Sequence, residues 1–229
     1  SVRSGSAETS RIEQQLAALR APELRATLAD AAARLAFWLD VFNSAVQQLP
    51  LGRLSSWPGR VRFFGRPAVT VAGRRLSLDD IEHGLLRRSR PKIGLGYLTH
   101  PWPSAFERRH RVVGVDPRIH FALNCGAASC PPIATYQAAD IDRQLDLATR
   151  TYLGSEARLE ASSLLVPSIF LWFIGDFGGP SGVRAFLRRH GVSHAGRPLR
   201  FAGWDWTPRA GRWAHDDPES GASVARRDT

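Results

Sequence analysis

Leu35, Phe37, Trp38, Val41, Phe42 and Val46 recur at helical spacing just ahead of Pro50. Together they form an apolar face wider than a single stripe. A helix apolar on more than one side has to lie inside the molecule, with other elements packed around it. This segment is therefore expected to be the central buried helix. Upstream, Leu16, Leu19, Leu24, Leu28 and Ala32 recur every three to five residues, and Pro22 marks a break or a new helix start. Residues 1–10 are small and polar and are expected to be a flexible lead-in. Residues 51–75, rich in Gly, Pro and Arg, read as loops with short strands at 61–64 and 69–71. Ala72, Gly73 and Arg74 make a hairpin turn. Ser77 reads as an N-cap for a short helix over 78–88, with Asp79 and Asp80 in its first turn and Arg87 and Arg88 in its last. Further on, a helix over 140–154 is expected to turn Ile141, Leu145, Leu147, Ala148 and Tyr152 inward. Residues 157–166 alternate as strands do, 169–177 are aromatic and buried, and Gly178 to Ser181 lead into a helix over 182–190.

The chemistry is concentrated in residues 116–132, DPRIHFALNCGAASCPP, which contain both cysteines of the chain, Cys125 and Cys130, and His120. The apolar run Ile119, Phe121, Ala122 and Leu123 reads as a buried strand that delivers a thiol into a tight turn of small residues. A thiol attacks as thiolate, so a nucleophilic Cys125 needs a histidine, a cation or a helix N-terminus beside it. His120 is the nearer base, and His83, beside Glu82 on the 78–88 helix, is the competing one. Glu82, Asp40 or Asn43 could orient the imidazole. Backbone N–H groups of Gly126, Ala127 and Ala128 could form an oxyanion hole. Three structural readings of the same residues stand beside this. The cysteines could be small core residues, they could close a local disulfide, or with His120 and His83 they could hold zinc.

Composition narrows the class. Hydrophobic residues make up 43% and charged residues 23%, as in an ordinary globular protein. No apolar run approaches the roughly 20 residues of a membrane span. The net charge is +10 and Lys92 is the only lysine, so the basic charge is arginine, scattered in pairs and not gathered in one tract. That pattern fits an arginine preference better than a polyanion site, and no specific nucleic-acid partner is expected. The seven tryptophans are expected in core and edge packing. No methionine is present, even at position one, from which a processed or truncated chain is expected, and with its start missing from view an exported or periplasmic protein is favoured.

Three blocks carry a family resemblance: 36–43 (AFWLDVFN), 76–87 (LSLDDIEHGLLR) and 116–132. Weaker matches follow at 168–172 (SIFLW), 176–179 (DFGG) and 204–206 (WDW). On these the chain resembles the domain-of-unknown-function 547 family, found in bacterial proteins and at the C-terminal end of plant leucine-zipper proteins. The family pattern usually has Asn where this chain has Asp40. Its polar signature falls on Asn43, Glu82, His83, Arg87, His120, Asn124, Cys125, Ser129 and Cys130. A Glu, a His and a Cys from separate blocks are similar in kind to the sites of papain- and transglutaminase-type thiol hydrolases.

The reading is of one α+β domain over 11–213, followed by a polar tail expected to be disordered. N-terminal helices pack on a small, mostly antiparallel sheet with the cysteine turn at its edge, in a papain- or transglutaminase-like arrangement. The expected function is a cysteine-dependent hydrolase or acyltransferase acting on a peptide or small acyl substrate, with no cofactor and no metal. Cys125 attacks, His120 or His83 is the base, and Glu82 orients the imidazole. Arg87 holds a substrate carboxylate, and Asn43, Asn124 and Ser129 line the substrate. The alternative is a non-catalytic interaction module with a structural Cys/His cluster.

Overall fold

The structure is a computed structural model in which residues 2–214 are described; the tail beyond lies outside them. Three helices lead: α1 (Val2–Ala18), α2 (Ala21–Thr27) and α3 (Ala31–Gln47). The first also takes in Val2 to Ser10, read from the sequence as a flexible lead-in. Pro22 sits in the first turn of α2, where its missing N–H leaves no bond unmade. Asp30 caps α3 by accepting from Ala33 N at 2.8 Å. As its apolar pattern requires, α3 is central: Trp38, Leu39 and Val46 are fully buried and Phe42 nearly so.

A 3₁₀ turn (Leu51–Ser55) and α4 (Trp57–Gly65) follow, so residues 61–64 are helical and not a strand. The helix wins because Ser56 accepts from Gly59 N and Pro58 fixes the first turn, with Phe63 alone buried. β1 (Pro67–Val71) and β2 (Arg74–Ser77) then form an antiparallel hairpin. Ala72 and Gly73 both take positive φ (49° and 71°), the turn geometry that matches strand twist. The hairpin hangs from α1 through Ala72 N to Leu16 O, 2.9 Å, and Gly73 N to Ala17 O, 3.0 Å.

The helix expected over 78–88 is present, but as a π-helical segment, Asp80–Leu86. Ser77 and Asp80 cap each other, Ser77 N donating to Asp80 Oδ2 (2.8 Å) and Asp80 N to Ser77 Oγ (3.1 Å). The wide pitch shows in Arg87 N bonding Glu82 O at 2.7 Å and Ser89 N bonding Gly84 O at 2.9 Å, each five residues back. A long loop and α5 (Ala105–His110) precede the cysteine segment.

That segment is not a strand. Asp116 accepts from Arg118 N, Pro117 opens the turn, and Pro117–Phe121 is a 3₁₀ helix. Three residues per turn send neighbouring side chains about 120° apart. Ile119 accordingly enters one hydrophobic cluster, Phe121 enters a second, and His120 points between them. The first cluster is built on α2, α3 and the hairpin. The second is built on the end of α6 (Ile141–Glu156), on β4 (Ser163–Val166), and on α7 (Ile169–Trp172) and α8 (Gly179–Arg189). On α6, Ile141, Leu145 and Tyr152 are buried as expected, whereas Leu147 is 57% exposed.

The fold is α+β, with two small sheets in place of the one expected. Besides the hairpin, β3 (Arg158–Glu160) pairs antiparallel with β4, and β4 pairs parallel with β5 (Leu199–Phe201). The cysteine turn lies at neither sheet's edge. It is held by the returning chain: Ala128 N donates to Thr207 O (2.9 Å), Arg209 N to Gly126 O (2.7 Å) and Ile133 N to Arg212 O (2.7 Å).

Candidate functional site

Between the two hydrophobic clusters lies a cavity of about 540 Å³. Phe42 and Phe64 reach it from the first cluster, Ile169 and Phe173 from the second. Trp57, Trp172, Trp204 and Trp206 add aromatic walls, so four of the seven tryptophans face this space and not a closed core. Trp172 and Trp206 stack at 6.2 Å, and Trp204 lies 5.2 Å from Trp172. The polar part of the lining comes from Asp79, Glu82 and His83 of the β2–π segment, from His120, Cys125 and Cys130, and from the cations Arg60 and Lys92.

Cys125 and Cys130 are joined as a disulfide, and Cys125 N also donates to Cys130 Sγ at 3.1 Å. Of the three structural readings of the two thiols, the local disulfide is the one observed. Among the described residues, no group of three or more His, Cys, Asp or Glu is arranged to hold a metal.

His120 is nearly fully buried, stacked on Phe173 at 4.0 Å with the planes 9° apart. Its Nε2 pairs with Asp176 Oδ2 at 2.9 Å. The carboxylate behind this imidazole is thus Asp176, just ahead of α8, and not Glu82. Asp176 also receives Arg87 Nε (2.6 Å) and Nη2 (3.3 Å), and Arg90 Nη1 (2.7 Å). Burial alone would raise the Asp176 carboxyl, but the bonds from His120 and Arg87 overcome it and hold it well below the usual carboxylate range. Burial lowers the His120 pKa, and the Asp176 hydrogen bond opposes that shift.

His83 has a different environment. Arg87 Nη1 donates to its Nδ1 at 2.8 Å, and a guanidinium can only donate, so that nitrogen carries no proton. Burial, then the charges of Arg87 and Lys92, push the His83 pKa well below its ordinary value. The ring is therefore a neutral imidazole with its proton on Nε2. Glu82 Oε1 stands 4.0 Å from His83 Nδ1, beyond hydrogen-bond reach. Burial raises the Glu82 carboxyl to about 7. Asp40 is raised to about 6 by burial, against the pull of its bond from Tyr136 N, and is spent on the 136 backbone.

Four residues expected to contact substrate do not line the cavity. Arg87 is fully buried, with its guanidinium on Asp176, His83 and the Arg90 carbonyl, so it positions the two histidines and cannot also grip a carboxylate. Asn43 clamps the backbone of the cysteine segment, Nδ2 to Ala122 O (3.0 Å) and Oδ1 from Asn124 N (2.9 Å). Asn124 folds the turn itself through Pro131 O and Gly126 N. Ser129 Oγ accepts from Asp205 N at 2.9 Å. Of the three expected oxyanion donors, Gly126 N is taken by Asn124 and Ala128 N by Thr207.

A family model described as a protein of unknown function, DUF547, matches residues 26–153, just over half of the 229. The chain belongs to the DUF547 family. No curated protein and no solved structure matches it. The DUF547 match takes in the cysteine turn, both histidines and Glu82, but ends before Asp176 and the Trp172, Trp204 and Trp206 walls.

Proposed function

We propose that this DUF547 protein, with its cysteines reduced, is a thiol hydrolase or acyltransferase of the papain and transglutaminase kind, acting on a peptide or small acyl substrate. The observation that carries the reading is the convergence of Cys125, His120, His83 and Glu82 on one aromatic-walled cavity. Two equivalents of an external thiol open the Cys125–Cys130 bridge by successive exchange, the first forming a mixed disulfide and the second releasing it, which leaves two protein thiols and one external disulfide. Asp176 occupies Nε2 of His120, which leaves Nδ1 to take the Cys125 proton. The thiolate attacks the substrate carbonyl, forming the C–S bond, and the imidazolium returns its proton to the leaving group. Water or an acceptor nucleophile, deprotonated by His120, then releases the acyl group from sulfur. The His83 Nε2–H and the protonated Glu82 are hydrogen-bond donors suited to the charge that develops on the carbonyl oxygen.

The test is alkylation of the reduced protein by iodoacetamide across pH. Cys125 is expected to react below pH ~7 faster than a free thiol, whose pKa is about 8.5. His120→Ala should remove that advantage while His83→Ala keeps it. A rate no greater than that of free cysteine overturns the proposal.

The disulfide itself favours a second reading, a non-catalytic interaction module in which the bridge braces the turn. On that reading Cys130→Ser destabilises the fold and Cys125 shows no enhanced reactivity after reduction.

A further inference from the structure

The two segments that frame the cavity mouth are both basic and free of acidic residues. Residues 51–66 contain Arg53, Arg60, Arg62 and Arg66 and no acid; residues 87–106 contain Arg87, Arg88, Arg90 and Lys92 and no acid. Acids from elsewhere neutralise some of this charge, as Asp176 does for Arg87 and Arg90 and Asp79 for Lys92. Arg53, Arg62, Arg66 and Arg88 stay exposed. The same two segments also hold the most exposed large apolar side chains: Trp102 (81%), Ile93 (76%) and Trp57 (70%), with Tyr97 and Leu98 above 50%. Trp57, Val61 and Leu95 belong to both surface and cavity wall, so this apolar collar is continuous with the cavity.

The collar is built, not frayed. Gly175 N donates to Leu95 O at 2.7 Å, Tyr97 N to Gly94 O at 2.9 Å and His100 N to Ser89 O at 2.7 Å. Gly96, at φ +85°, lies so close to Asp176 that a Cβ would stand 2.6 Å from its Oδ1. The loop that carries Ile93 and Trp102 is thus fastened to the carboxylate that holds His120.

We propose that this face docks on an anionic membrane surface. Aromatic rings and aliphatic chains enter the headgroup–acyl boundary while flanking arginines meet lipid phosphates, and a fixed apolar collar with a basic rim suits both layers. A nucleic acid would satisfy the arginines but gain nothing from Ile93 or Leu98. The core of a protein–protein interface is depleted in charge. Among the described residues no helix is long and apolar enough to cross a membrane, so the contact is interfacial. Docking is independent of the chemistry at sulfur and can fail or stand without it.

The experiment is co-sedimentation of the full chain with vesicles of phosphatidylcholine alone and of phosphatidylcholine with phosphatidylglycerol. Binding is expected only with the anionic vesicles, weakening at least about tenfold as salt screens the rim charges. Ile93→Ser with Trp102→Ala, both outside the cavity, should weaken it by at least about tenfold while leaving the circular dichroism and thermal midpoint unchanged. Three results overturn the proposal: no binding to anionic vesicles at low salt, binding indifferent to the double variant, or a dimer that the same variant abolishes, which would assign the face to a second copy.

Discussion

Asp176 accepts from His120, Arg87 and Arg90 together, and one carboxylate therefore holds the charge of a fully buried guanidinium. Asp176→Ala should cost about 3–5 kcal/mol in denaturant titrations, because Arg87 is left charged and unpaired in the interior. Its pKa lies below the unfolded value, so its contribution is present above the ordinary carboxylate range and is lost as pH falls through the folded value. Glu82 has the opposite sign. With its folded pKa raised to about 7, its contribution is full below the unfolded value of 4.5 and disappears as pH rises through about 7. Glu82→Gln should flatten that pH slope, by up to about 3 kcal/mol across the window. Glu82, His83, His120 and Cys125 could be named from sequence because each sits in a recognisable block. Asp176 was visible only as the start of DFGG. Nothing local marks it as the partner of a histidine 56 residues earlier, since ion pairing across a fold leaves no periodicity in the chain.

The π-helical segment shows which parts of an element a sequence carries. The Ser77 cap, the acids of the first turn and the basic end were all readable. The pitch was not: Arg87 at its end is held by Asp176, a partner 89 residues away that pattern analysis cannot see. The same limit explains residues 61–64, where β-favouring Val and Phe lost to the Ser56–Pro58 start. It explains residues 117–121 too, where an apolar run serving two cores resembles a buried strand. The loop over 92–100 has its own test. Gly96→Ala combines a left-handed backbone with a contact that cannot relax without moving Asp176. A loss of about 2 kcal/mol or more is expected, with faster hydrogen exchange confined first to the amides of that loop.

For the molecule as a whole, the turn at 117–121 belongs to both hydrophobic clusters, so neither half can melt without disturbing the other. Phe121 is fully buried and stacks against Phe186 at 5.6 Å. Phe121→Ala should cost about 3–5 kcal/mol, with tryptophan fluorescence and circular dichroism still reporting one coincident transition. Separated transitions would show that the two clusters fold independently. The central helix and the α+β class followed from composition and periodicity. The division into two sheets did not, because strands of three to five residues hold too little pattern to choose partners.

The chain that returns past Trp204 and Trp206 ties down the cysteine turn through Ala128, Gly126 and Ile133. A fragment cut to the family match would end at 153 and lose those ties, three tryptophan walls and the carboxylate behind His120 in one stroke. Any version trimmed to 26–153 would be missing the floor and one side of its own cleft, and the behaviour of Cys125 in it would say nothing about the longer chain.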